Sequence, residues 1–111
     1  DIARDIERLS HDARAGRPSL DDLRGGTFTI TSIGNLGGLF ATPIINHPEV
    51  GILGVGKIVK RPVFDEQGQI RAADMVYLSL AFDHRVVDGA VAVEFGNAII
   101  KRLVRPRELI A

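Results

Sequence analysis

Apolar positions recur at helical spacing near both ends of this chain and follow strand-like patterns between them. Ile2, Ile6, Leu9 and Ala13 fall on one face of a helix over residues 1–15, with Arg4, Glu7, Arg8 and Arg14 largely elsewhere. Gly16 suits its C-terminal cap. Ser19-Leu20-Asp21-Asp22 has capping-box spacing, with Asp in place of the usual Glu, and opens one short turn that ends at Gly25–Gly26. Residues 27–32 alternate strictly, Phe28 and Ile30 on one side and Thr27, Thr29 and Thr31 on the other, as a half-buried strand does. Read from these residues alone, the threonine row is the solvent face. Ile33 to Gly38 is a glycine-rich loop, and Phe40 to Pro48 reads as extended. Val50 to Gly56 is a buried strand whose glycines permit close backbone approach. Lys57 to Phe64 continues extended, Asp65 to Gly68 is a turn, and Ile70 to Phe82 returns as the central strand. In it Val76, Leu78 and Leu80 share one face, while Tyr77, Ser79 and Ala81 share the other. Val91, Phe95, Ile99 and Leu103 then repeat every four residues, giving a helix that starts after Asp88 and ends near Val104. Lys101, Arg102 and Arg105 suit its negative end, Pro106 stops it, and the short tail packs one or two apolar residues.

The junction between that last strand and helix concentrates the polar chemistry. It reads Asp83-His84-Arg85-Val86-Val87-Asp88-Gly89. An imidazole with a pKa of roughly 6.5 takes and returns a proton at neutral pH, and a nearby carboxylate can hold the ring or a partner cation. Asp88 also suits a helix N-cap. On spacing alone two readings stay open. One is an acid–base site at His84 and Asp88; the other is a solvated loop in which Asp88 is only a cap. Of two nucleotide-binding patterns, the glycine-rich one is weak and the P-loop is rejected. The glycines of Ile33–Gly38 are followed by Pro43 rather than by a helix, and Gly51 to Lys57 fits Gly-x4-Gly-Lys but has Ile58 where a magnesium-binding Ser or Thr must stand. His11 and His47 are not at metal-ligand spacing from His84, so no metal site is expected.

Composition narrows the class. The chain has 111 residues, 45% of them hydrophobic, which suits one small domain over residues 1–111. Lys+Arg and Asp+Glu are both 14, so the net charge is zero and nothing points to nucleic acid or an anionic membrane. Without cysteine there is no disulfide framework, thiolate metal site or cysteine nucleophile, and a reducing compartment fits. No apolar run approaches the roughly 18 residues of a membrane span.

The string Asp83-His84-Arg85-x-x-Asp88-Gly89 resembles the active-site signature of the dihydrolipoamide acyltransferases, the E2 core components of 2-oxo acid dehydrogenase complexes. The resemblance extends over essentially the whole chain, including the sheet entry Leu23-Arg-Gly-Gly-Thr-Phe28. It implies an α/β domain of two-layer α+β type: a chloramphenicol-acetyltransferase-like mixed sheet with packed helices, of which this is the C-terminal half. It further implies an enzyme that moves an acyl group between the dihydrolipoyl thiol and coenzyme A. His84 resembles the general base, and Asp88 the motif carboxylate that fixes the architecture through an ion pair. Thr31 occupies the position of the hydroxyl that stabilises the tetrahedral oxyanion, with Ser32 next to it as the runner-up. The resemblance puts Thr31, Ser32, Asn35, Gly56 and Ile58 along the coenzyme A channel.

The implied substrates are coenzyme A and a lipoyl group carried on a separate lipoyl domain. The implied partners are a homotrimer building a cubic or dodecahedral core, with E1 and E3 reached through other domains. The hydroxyl and the histidine of one centre come from different subunits. Ile33–Gly38 and Thr42–Glu49 look more like the branched-chain or pyruvate type than the succinyl type, and the implied setting is a bacterial or archaeal cytoplasm or the mitochondrial matrix. Two alternatives stand beside this reading: a non-catalytic scaffold subunit of the same complex, and a same-fold acyltransferase with a different acceptor.

Overall fold

A computed structural model describes residues 1–110. Helix α1 (Ile2–Arg14) opens on Asp1, whose carboxylate accepts the Ala3 N–H at 3.1 Å. It closes on a Schellman motif: Arg17 N–H donates to the Asp12 carbonyl at 2.9 Å and Gly16 N–H to that of Ala13 at 3.1 Å. Gly16 adopts φ +68°, the left-handed conformation this motif needs. The expected capping box forms in both directions, since the Asp22 N–H donates to the Ser19 hydroxyl at 3.1 Å and the Ser19 N–H donates to the Asp22 carboxylate at 3.4 Å, with the Ser19 hydroxyl donating to the same carboxylate at 2.7 Å. Arg8 pairs with Asp12 within the helix and ties the helix to the turn through Asp22, both at 3.4 Å. The apolar face of α1 is formed as read, but no residue on it is buried, and Ile2 and Ile6 stand exposed.

Three strands make the main sheet, in the order β1 (Thr29–Ser32), β2 (Gly51–Val55), β5 (Leu78–Phe82). β1 runs parallel to β2 and β5 antiparallel to it. β2 is therefore the central strand, and it is the most buried element, with Gly51, Ile52, Leu53 and Gly54 all covered. This corrects the sequence reading, which made residues 70–82 one central strand. That stretch is two strands. β4 (Ile70–Met75) pairs only with β3 (Val59–Phe64) in a separate hairpin, and the chain crosses at Val76–Tyr77 into the main sheet. Alternation of side chains cannot reveal that change of partner. The hairpin turn is built as expected: Asp65 Oδ1 accepts the N–H groups of Gln67 and Gln69, and Gly68 takes φ +77°. Phe40 to Asn46 forms no strand.

Helix α2 (Gly89–Val104) packs on β5. The mixed sheet with a helix on one face is the two-layer α+β arrangement expected. Phe28 meets Phe95 edge to face, with ring centroids 5.6 Å apart, a contact worth about 0.5–1.5 kcal/mol beyond its burial. The core is thin. Ile52, Leu53 and Ala92 are its buried apolar residues among those described. The radius of gyration is 16.7 Å, against about 13 Å for a compact domain of this length.

The alternation in β1 holds, and Phe28, on the side read as apolar, meets α2, but burial does not follow the two faces. Thr29 and Thr31 are half-buried, whereas Ile30 is 67% exposed. Thr29 gains a partner on its side, its hydroxyl donating to Glu49 at 2.9 Å. The threonine row is thus not the solvent face of the strand.

Candidate active site

β5 ends by passing its ladder on. Asp83 N–H donates to the Val50 carbonyl at 2.8 Å, and the Asp83 carbonyl accepts the N–H groups of Val86 at 3.0 Å and Val87 at 2.9 Å. These bonds fold residues 83–86 into a tight turn that presents His84 at the end of the sheet. His84 is exposed and has no hydrogen-bond partner among the described residues. Its ring lies over Phe82, the centroids 5.6 Å apart and the planes at 38°. Phe82 is the last residue of β5, and the turn folds His84 back onto it.

The residues flanking His84 are clamped together. Arg85 Nη2 donates to Asp83 Oδ2 at 2.7 Å, Arg85 Nε to Oδ1 at 3.0 Å, and the Arg85 backbone N–H to Oδ1 at 3.0 Å. The guanidinium and this backbone N–H hold the Asp83 carboxyl down at about 2, and the carboxylate in turn raises the Arg85 pKa.

Asp88 caps α2, its Oδ1 accepting the Val91 N–H at 2.9 Å. The cap half of the sequence reading is observed, and Asp88 makes no ion pair among the described residues. Behind His84 lies an apolar hollow of about 170 Å³ between sheet and helix, lined by Phe28, Leu80, Phe82, Val87, Val91 and Phe95.

The other candidate residues gather elsewhere. Thr31 pairs with Gly54 and Ser32 with Val55 at the carboxyl ends of the parallel strands β1 and β2. Asn35 follows in the short 3₁₀ turn Gly34–Leu36, and Gly56 directly continues β2. Thr31, Ser32, Asn35 and Gly56 therefore share one end of the sheet, with Ile58 exposed two residues further on. Ser32 Oγ accepts the Gly34 N–H at 3.2 Å; the Thr31 hydroxyl has no hydrogen-bond partner among the described residues. Gly56 has a structural reason as well: a Cβ there would run into the Leu39 carbonyl oxygen, and its N–H donates to the Tyr77 carbonyl at 2.9 Å.

This end is far from His84. Gly54 pairs with Thr31 on one side and Ser79 on the other, and His84 lies five residues beyond Ser79. The separation is roughly 16 Å along the strands and about 10 Å across them. One chain does not bring Thr31 and His84 together.

Sequence reasoning missed two features. The clamp was visible only as two charges flanking a histidine, and nothing in the spacing showed that they pair. Glu49 binds Thr29 and also accepts from Asn46 Nδ2 at 2.9 Å, a join across distant residues that no local pattern reveals. Among the described residues no group of His, Asp or Glu could hold a metal ion.

The chain belongs to the 2-oxoacid dehydrogenases acyltransferase (catalytic domain) family, whose model matches residues 1–111. It is 44% identical over 110 residues to the dihydrolipoyllysine-residue succinyltransferase component of the mitochondrial 2-oxoglutarate dehydrogenase complex of Saccharomyces cerevisiae, covering 99% of this chain and 24% of that protein. It is 46% identical over 109 residues to the dihydrolipoyllysine-residue acetyltransferase component of the Staphylococcus aureus pyruvate dehydrogenase complex, covering 98% and 25%. Among solved structures it resembles the Azotobacter vinelandii dihydrolipoamide acetyltransferase, with TM-score 0.91, 38% identity, 99% of this chain and 45% of that one. The cubic core of a pyruvate dehydrogenase multienzyme complex matches with the same TM-score and identity, covering 98% and 44%. The chain thus spans about a quarter of the length of these curated relatives.

Proposed function

We propose that this chain supplies the base and the oxyanion donor of an acyltransferase that moves an acyl group between a dihydrolipoyl thiol and coenzyme A. The observation that carries this reading is His84 at a strand-to-helix junction, four residues before the capping Asp88, in a chain of this family. A serine, a histidine and an asparagine four residues beyond that histidine act in the mechanism of the Azotobacter relative. Here Thr31 or Ser32, His84 and Asp88 stand in the same chain order.

Both reactants are thiols with ordinary pKa values near 8.5, so little thiolate exists at neutral pH. His84 takes the proton from the attacking coenzyme A sulfur and returns it to the leaving lipoyl sulfur, a role worth about 10²–10⁴-fold. Attack on the thioester carbon places negative charge on its oxygen, and the Thr31 hydroxyl donates to it. Thr31 is half-buried on β1, whereas Ser32 is exposed and its Oγ is turned to the Gly34 N–H, which favours Thr31 as the donor. Asp88 holds the start of α2, and through it the turn that carries His84.

The separation of Thr31 and His84 within one chain supports a centre shared between copies, with His84 from one and Thr31 from its neighbour. A homotrimer, itself a unit of a larger core, meets that need. The cubic core among the structural relatives supports such an assembly. Thr31, Ser32, Asn35, Gly56 and Ile58 are the residues we assign to the coenzyme A channel, with E1, E3 and the lipoyl domain as the wider partners. The motifs at 33–38 and 42–49 lean toward the branched-chain or pyruvate type. The identities of 44% and 46% to a succinyl- and an acetyltransferase support both classes of acyl group. The same relatives fit a bacterial cytoplasm or a mitochondrial matrix.

The test is acyl transfer from acetyl-, isobutyryl- and succinyl-coenzyme A to dihydrolipoamide, with His84→Ala beside the unaltered protein. A fall of about a hundredfold or more supports the base assignment. An unchanged rate ends it, and no transfer from any donor favours the scaffold alternative.

A further inference from the structure

The chemistry above needs an imidazole in one orientation, yet His84 is exposed and makes no hydrogen bond among the described residues. What restrains it lies on either side. Asp83 and Arg85 meet in a two-point ion pair, and the same carboxylate holds the Arg85 backbone N–H. Asp83 is in turn tied by its own N–H to Val50 and by its carbonyl to Val86 and Val87. The peptide units before and after His84 are thus fixed from both ends, which leaves its ring lying on Phe82.

We propose that Arg85, acting through Asp83, is a positioning residue for His84: the ion pair locks the 83–86 turn and keeps the imidazole on the Phe82 ring. The Arg85 side chain is 87% exposed and that of Asp83 19%. Solvent screens the open guanidinium, and the pair joins residues two apart in one turn, so helix and strand content should survive its loss. A guanidinium is suited to the role, because its planar fork matches both carboxylate oxygens where an ammonium meets one. Part of the inference rests on the proposed function, since it assigns a purpose to the held histidine.

The experiment is side-chain NMR of histidine-labelled 111-residue chain, reading the His84 χ1 couplings in the unaltered protein, Arg85→Ala and Asp83→Asn, with circular dichroism as the control for folding. We expect one rotamer in the unaltered chain and averaged couplings in both variants at unchanged helix and strand content. Acyl-transfer kinetics of the same variants in the assembled protein should show kcat lowered by roughly ten- to a hundredfold, the scale on which a misplaced group costs rate, with KM nearly unchanged. Arg85→Lys should recover part of both readouts. A single His84 rotamer retained in either variant overturns the proposal. An unfolded Arg85→Ala overturns it too, because the pair would then be carrying the fold. Averaged couplings in a protein with no acyl transfer would support the clamp and reject the function.

Discussion

Thr31 and His84 lie at opposite ends of the same three-stranded sheet, on its two outer strands, with the whole of β2 between them. A general base and an oxyanion donor act on atoms a few ångströms apart. Two such groups on one chain, separated by several strand rungs, cannot serve a single reacting carbonyl. If both are catalytic, the centre is made by two copies.

Thr31→Ala should lower kcat by about 10²–10³-fold, the usual loss for one oxyanion donor, while Thr31→Ser, which keeps a hydroxyl, should retain most of the rate. Ser32→Ala should cost much less, since Ser32 is exposed and its Oγ is turned to the Gly34 N–H of the following loop. Steady-state kinetics with acetyl-coenzyme A and dihydrolipoamide checks the order. The reverse order moves the donor to Ser32.

Asp88 caps α2, and the proposed function adds a role for its charge that can be separated from the cap. Removing its cap on Val91 in Asp88→Ala should destabilise the protein by about 1 kcal/mol, measured by urea unfolding. Asp88→Asn keeps an oxygen acceptor and should unfold at nearly the unaltered urea midpoint. Loss of activity in Asp88→Asn at full stability would show that the charge itself matters.

Gly56→Ala should be costly without touching any polar group. The new Cβ meets the Leu39 carbonyl oxygen, which belongs to backbone and cannot swing aside. A loss of about 1–3 kcal/mol is expected from such overpacking. An unchanged unfolding midpoint would mean that the approach of residue 39 is not part of the folded state.

The Asp83 carboxyl should titrate at about 2 instead of 3.8. Its folded-state pKa is depressed, so the stability it adds is fully present above about pH 3.8 and is lost as the pH falls toward 2. An NMR titration of the carboxyl carbon reads this directly. In Arg85→Ala the value should return toward 3.8, because the guanidinium is the leading cause of the depression.

Local chemistry was legible in the sequence, while long-range pairing was not. The bounds of α2, the Asp88 cap, the Ser19–Asp22 box and the Asp65–Gly68 turn follow from neighbours within four residues, and all appear. The break at Val76–Tyr77 escaped notice because a strand that changes sheets keeps its alternation. Thr29 and Thr31 read as solvent-facing because threonine tolerates either face, and the Glu49 partner of Thr29 lies 20 residues away. The motif around His84 picked out the candidate residue, but only the strand register shows how far Thr31 stands from it.

The most direct test of a centre shared between copies is a mixing experiment. His84→Ala and Thr31→Ala proteins, each nearly inactive alone, are unfolded together, refolded as mixed assemblies and assayed for acyl transfer. Substantial activity returning in the mixture is the predicted result, because some interfaces then pair an intact His84 with an intact Thr31. A mixture as inactive as its parents, in assemblies shown to contain both chains, would contradict the account.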